Sequence, residues 1–232
     1  MNLQSIIGLV EHRSNSYRKF SPWGFAMNGQ TSRLEASRQI IYALNIERIV
    51  ETGTFRATTT EWFSQFGLPV ETVEVNDRYF AFSRARLARS PNTKIIRNTS
   101  VSFLKDRIGA NSVPKDVAQF FYLDSHWNNY LPLRDELQLI FANYPKSVVL
   151  IDDFMVADDA GYGYDNYGPG RALNLDYLDS CALPPVSMFY PVTPSCQETG
   201  MRRGWVVLTT NKDFEQKLGE IRLLRNFSHT RT

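Results

Sequence analysis

Two short segments concentrate carboxylates in a pattern that suits a cation. Tyr122-Leu123-Asp124-Ser125-His126-Trp127 places an aspartate two residues before a histidine, and Leu150-Ile151-Asp152-Asp153-Phe154 carries an aspartate pair. Each follows an apolar run, so each set of carboxylates would stand at the end of a buried strand. Carboxylates gathered at one edge repel one another and need a cation, a proton or an arginine. Carboxylate oxygens together with waters suit Mg²⁺, a hard octahedral ion. His126 changes protonation near neutral pH, which fits a general base beside that ion. A lone histidine is more often a packed or capping residue, but the aspartates around this one shift the balance towards chemistry.

A second group of residues suits a nucleoside. Val50-Glu51-Thr52-Gly53-Thr54-Phe55-Arg56-Ala57-Thr58 separates an apolar run from a helical pattern. Ligands of open parallel sheets bind at the carboxyl ends of strands, where a glycine lets the backbone come close. Glu74, in Val73-Glu74-Val75-Asn76 at the end of the next run, is placed to accept both hydroxyls of a ribose. The segment is neither a dinucleotide fingerprint, lacking the second and third glycines, nor a P-loop, lacking Gly-Lys-Ser/Thr.

The elements that must position these residues follow from the apolar rhythm. Runs at 46–51, 70–75, 93–97, 118–123 and 147–151 are rich in Ile, Val, Phe and Tyr and read as strands covered on both faces. Helical patterns at 57–66, 78–89, 101–107 and 132–143 fall between them, which implies right-handed crossovers and a parallel sheet. A helix over 30–44 precedes the sheet. After the fifth strand the rhythm breaks at the Gly/Tyr/Asp-rich stretch 155–170, which reads equally as a lid, its tyrosines and Asp165 set over a ring-shaped ligand, or as a plain strand-to-helix excursion. A helix at 172–180, strands at 186–190 and 205–209 and a closing helix at 212–225 complete the pattern.

Composition narrows the class. The 232 residues are 43% hydrophobic and 22% charged, an ordinary globular balance. Basic and acidic residues number 26 and 24, so no bulk field points to nucleic acid or an anionic membrane. Cys181 and Cys196 cannot build a disulfide framework and suit a reducing compartment. No apolar run approaches the ~18 residues of a membrane span, and the N-terminus lacks the apolar stretch of a signal peptide. The cytoplasm is the expected location. His12 and His229 read as surface residues, and Arg222, Arg225 and Arg231 as a solvated helix face.

Taken together, the three motif segments resemble class I S-adenosylmethionine-dependent methyltransferases, within the metal-dependent small-molecule O-methyltransferases. Glu51-Thr-Gly-Thr-Phe resembles the first motif, Val-Glu74-Val-Asn the ribose-binding acidic motif, and Asn98-Thr-Ser100 the adenine-side turn. The spacing from Leu123-Asp124 to Tyr130-Leu131-Pro132 is that of the catechol type. Asp124 and Asp152-Asp153 are similar to the ligands of the antibiotic-sugar type, with His126 at its base position. The catalytic lysine of the catechol type is absent, Trp127 and Asn128 standing in its neighbourhood, and Ala57 replaces a glycine common in the first motif.

The resemblance implies a doubly wound, Rossmann-like, mostly parallel seven-stranded sheet with helices on both faces and an antiparallel last strand near Trp205–Thr209. It implies S-adenosylmethionine at Glu51, Gly53, Thr54, Glu74, Ser100 and Asp124, with S-adenosylhomocysteine as product. It further implies Mg²⁺ at Asp124, Asp152 and Asp153, with His126 as catalytic base. The expected organisation is one domain over residues 1–232, with a helical extension at 1–45 and a substrate insertion at 155–185. The expected reaction is O-methyl transfer to a small-molecule acceptor, a sugar hydroxyl before a catechol. Neither nucleic acid nor membrane is an expected partner; the sequence leaves the oligomeric state open, a homo-oligomer through the helix before Gly29 being one option. A methyltransferase-like domain that binds without chemistry is the rival, and the missing glycines disfavour a nicotinamide-dependent oxidoreductase on the same sheet.

Overall fold

The structure is a computed structural model that describes residues 1–14, 25–111, 113–127 and 130–227. Asn128, His229 and Arg231 lie outside the described residues. Five strands form the floor of the site: β1 (Arg48–Thr52), β2 (Val70–Glu74), β3 (Thr93–Arg97), β4 (Gln119–Leu123) and β5 (Ser147–Asp152). They run parallel in the order β3-β2-β1-β4-β5. Three more strands, β6 (Ser187–Pro191), β7 (Trp205–Thr209) and β8 (Leu224–Phe227), extend the sheet beyond β5 in the order β7-β6-β8. β7 is antiparallel to β5 and β6, as expected for Trp205–Thr209.

The sheet has eight strands, one more than the seven expected. The closing helix stops at Gly219, and Leu224–Phe227 pairs antiparallel with β6. Ile221 and Leu224 have helical spacing, but the open edge of β6 offers main-chain partners that a longer helix would leave unpaired. Arg225 then donates from Nε to the Pro191 carbonyl at 3.1 Å and ion-pairs with Asp158, rather than lying on a solvated helix face.

Period-two alternation sends successive residues of each strand to opposite faces. Ile49, Phe120, Tyr122, Val148 and Leu150 pack on one side with Ile40 and Ile41 of α2 (Thr31–Ala43), Phe63 of α3 (Thr58–Ser64) and Phe214 of α8 (Lys212–Gly219). Val50, Phe121, Leu123, Val149 and Ile151 pack on the other, with Phe103 of α5 (Ser100–Gly109) and Leu137 and Ile140 of α6 (Leu133–Asn143). Both faces are therefore covered, which explains the near-continuous apolar strands. A short α7 (Leu175–Ser180) follows the long loop after β5.

At the N-terminus, α1 (Leu3–Ser14) lies on α4 (Asp77–Arg86). Gly8 makes this approach possible, because a Cβ there would stand 2.1 Å from the Arg78 carbonyl oxygen. Glu11 accepts from Arg78 Nε at 2.9 Å, and His12 packs edge-on against Phe82 rather than lying on the surface. No helix among the described residues is long and apolar enough to cross a membrane.

Candidate active site

Strand order reverses between β1 and β4, and the crevice at their carboxyl ends collects the residues singled out from sequence. Gly53 leaves β1 at φ +89°, and a Cβ there would lie 2.1 Å from the Asp124 carbonyl oxygen. Only glycine lets the two strand ends close on each other, with Asp124 N donating to Thr52 O at 2.8 Å. Phe55 and Ala57 are also left-handed, so the turn is tightly wound without the extra glycine. Glu74 braces it: Oε2 accepts from Phe55 N and Oε1 from Asn76 N, each at 2.8 Å. Burial raises the Glu74 pKa against these amide donors.

The other residues expected at the cofactor take varied positions. Glu51 is buried, and its Oε2 accepts from Thr60 and, at 2.6 Å, from Thr72. Burial pushes its pKa up to about 7, the threonine hydroxyls pulling it back. Thr54 shares a 2.6 Å hydroxyl contact with Thr72, so Glu51 and Thr54 form one buried network behind the glycine turn. Ser100, at the start of α5, meets Ser125 Oγ at 3.1 Å; Ser125 also donates to Glu136 Oε1 at 2.7 Å. Glu136 is a buried carboxylate whose pKa burial raises, and it stood unnoticed inside a helical pattern.

Among the carboxylates, the structure separates two chain neighbours. Asp152 is buried and saturated: it ion-pairs with buried Arg33, accepts from Tyr122 OH at 2.5 Å and from Asn28 Nδ2 at 3.2 Å, and takes the Asp153 amide at 2.7 Å. Its carboxylate is not part of the candidate metal-ligand group that includes Asp124. Asp153, at φ +54°, turns the other way, towards His126. The ligand atoms of Asp124, His126 and Asp153 all lie within 4.8 Å of one another, so His126 takes the place expected of Asp152 in the candidate cation set. Asp165 Oδ2, from the long loop, also lies 3.9 Å from His126 Nε2.

The electrostatics follow from burial set against charge. Burial, with Asp152 and Asp153 nearby, holds the Asp124 pKa well above the usual carboxylate range. For Asp153, burial works upward, but His126 and Arg203 outweigh it and hold the carboxyl at about 2. Burial works against His126 protonation, yet Asp153, Asp165 and Asp152 raise its pKa on balance. Its Nε2 lies 3.8 Å from Asp153 Oδ2 and 3.9 Å from both Asp124 Oδ1 and Asp165 Oδ2, beyond hydrogen-bond reach.

The loop after β5 is clamped by its main chain. Asp165 N donates to Asp153 O and Leu173 N to Asp165 O, each at 2.9 Å; Gly163 exchanges bonds with Arg202 and Gly204 at 2.8 and 2.7 Å. Tyr162 is buried, with its hydroxyl on the Thr193 carbonyl, so it is not the exposed stacking face expected of the lid. Tyr167 instead sits edge-on to His126, with ring centroids 6.4 Å apart. Beside it an open groove of about 420 Å³ is lined by Tyr130, Arg134, Arg171 and Tyr177.

Sequence reasoning missed Arg33 and Arg203. Arg33 carried a signal, since it shares the buried stripe of α2 with Ala36, Ser37 and Ile40. Arg203 carried none, as its partners lie 50 and 38 residues away.

No protein-family model matches the chain, and no curated protein matches it in sequence. Solved structures do. An O-methyltransferase from Bacillus cereus in complex with S-adenosylhomocysteine is 14% identical, with a TM-score of 0.54 over 90% of each chain. The O-methyltransferase TomG from Streptomyces achromogenes, involved in tomaymycin synthesis and bound to S-adenosylmethionine, is 13% identical, with a TM-score of 0.51 over 91% of each chain. At this identity the likeness shows the fold alone: the chain shares the Rossmann-like architecture of these O-methyltransferases.

Proposed function

We propose that the chain is an S-adenosylmethionine-dependent O-methyltransferase for a hydroxyl of a small molecule, a sugar or glycosylated metabolite, assisted by a divalent cation such as Mg²⁺. One observation carries this reading: the Gly53 cradle and Glu74 open onto the same strand ends at which buried His126 Nε2 stands without a hydrogen-bond partner among carboxylates. The carboxylates Asp124 and Asp153 on either side of that orphaned nitrogen fit a divalent ion, which their oxygens would hold while Nε2 keeps its lone pair. Bound there, the ion would supply Lewis acidity to the acceptor oxygen.

The chain's own residues account for the rest. The bare backbone at Gly53 lets the cofactor approach, and the Glu74 carboxylate, braced by main-chain amides, keeps acceptor capacity for a ribose hydroxyl. His126 Nε2 is placed to receive the acceptor's hydroxyl proton while the methyl carbon leaves sulfur for oxygen, so the cofactor departs as a neutral thioether. A sugar hydroxyl is a far weaker acid than a phenol, which favours a base and concentrated electrostatics together. Exposed Trp127 and the groove at Tyr130 and Tyr177 offer faces for ring stacking. Cys181 and Cys196 are free thiols, which supports the cytoplasm as location.

A methyl-transfer panel of glycosides and catechols, with and without EDTA, tests the reading. Glycosides should be methylated, EDTA should abolish turnover, and H126A should lower kcat by about 100-fold or more. Catechol turnover with silent glycosides would reassign the acceptor. Absence of S-adenosylmethionine binding by calorimetry would overturn the function.

A further inference from the structure

The cation reading leaves Asp165 unexplained, because it lies on the loop rather than at a strand end. Its Oδ2 stands 3.9 Å from His126 Nε2, the same distance as Asp124 and within 0.1 Å of Asp153 at 3.8 Å. The main chain puts it there, since Asp165 N donates to the Asp153 carbonyl. Arg203 then divides the oxygens of the two aspartates. Its Nε holds Asp153 Oδ1 at 2.6 Å and its Nη2 holds Asp165 Oδ1, which leaves both Oδ2 atoms turned to His126. Tyr167 donates its hydroxyl to Asp165 Oδ2 and sets its ring against His126. Asp124, Asp153 and Asp165 all surround His126, while the Arg203 guanidinium pairs with only the last two, an arrangement rich in carboxylate oxygens that suits a divalent ion. Independently, the buried His126 Nε2 has no hydrogen-bond partner among the described residues and points into this enclosure.

We propose that Asp165, delivered by the loop after β5 and oriented by Arg203 and Tyr167, is a further side chain of the cation site, so that cation binding and docking of this loop are one equilibrium. Arg203 and Tyr167 are positioning residues. The proposal rests on the cation reading above, but it adds a consequence of its own: the loop that lies over the site is ordered by the ion.

Mn²⁺ titration of the full chain, without acceptor, tests this by calorimetry alongside hydrogen exchange of residues 161–173. D165N should weaken Mn²⁺ binding by about tenfold or more. Mn²⁺ should protect the loop amides in the wild type and not in D165N. D159N serves as the control for loop order alone. Asp159 anchors the same loop by accepting from Ser195 N and Oγ at 2.7 and 2.6 Å, so its loss should weaken Mn²⁺ only through the loop equilibrium and therefore less than D165N does. Should D165N fail to fold, Y167F removes only the hydroxyl that orients Asp165 and should weaken Mn²⁺ severalfold.

Wild-type binding with unchanged affinity in D165N, or in Y167F where that variant stands in, would overturn this proposal and leave the cation reading intact. Equal weakening in D159N, or loop exchange indifferent to Mn²⁺, would overturn it too. A wild type that binds no Mn²⁺ would overturn both.

Discussion

At the scale of residues, the site is defined by which buried charges have partners. Asp152 has several, a guanidinium among them, whereas Glu51 has only hydroxyls. Burial pushes Glu51 to about 7, above its ordinary value of 4.5, so the folded chain holds this proton more tightly than the unfolded chain. Its contribution to stability is therefore fully present below about pH 4.5 and is lost as pH rises through about 7. E51Q has no proton to lose. Its Tm relative to wild type should rise between about pH 5 and about pH 8 in scanning calorimetry of the cofactor-free protein; parallel Tm profiles would contradict the assignment.

At the scale of elements, contacts between helices depend on single small residues. α1 reaches α4 only because Gly8 has no side chain, and the obstacle to one is the Arg78 carbonyl, main chain rather than a movable side-chain tip. G8A should therefore unseat α1 at a cost of about 1–3 kcal/mol. Amides of residues 3–14 should lose exchange protection, while those of β1, β4 and β5 keep theirs. Retained protection in α1 would show that α4 yields instead. The strands and most helices were legible because both faces of the sheet are covered and the helices show their buried stripes. β8 was not legible: Leu224–Phe227 is a strand only because the edge of β6 is there to pair with it.

At the scale of the molecule, Arg33 joins parts of the chain that meet only in the fold. It binds Asp152 at the end of β5, lies 3.4 Å from Tyr122 OH on β4 and is held by Gln30, whose Nε2 reaches the Arg203 carbonyl at 2.8 Å. Burial works against the guanidinium charge, but Asp152 and Tyr122 outweigh it and keep its pKa raised. R33M would leave Asp152 buried without its cation, a loss of about 3–5 kcal/mol. The urea midpoint should fall by the corresponding amount with the slope unchanged. An unchanged midpoint would show that Tyr122 and Asn28 suffice to hold the carboxylate.

The amino-acid sequence by itself determined the strand and helix rhythm, the glycine turn after β1, and the arrival of Asp124, His126 and the aspartate pair at one edge of the sheet. These are local properties: periodicity, a residue that tolerates φ +89°, and position relative to an apolar run. Only the tertiary structure decided which aspartate faces which way. Asp152 and Asp153 are adjacent and chemically identical, yet one meets Arg33 and the other His126 and Arg203. That choice depends on partners far away in the chain and on the turn at Asp153, and so does the entry of Asp165 into the same enclosure. Burial makes it decisive, because a carboxylate out of water must be matched by whatever charge the fold brings to it.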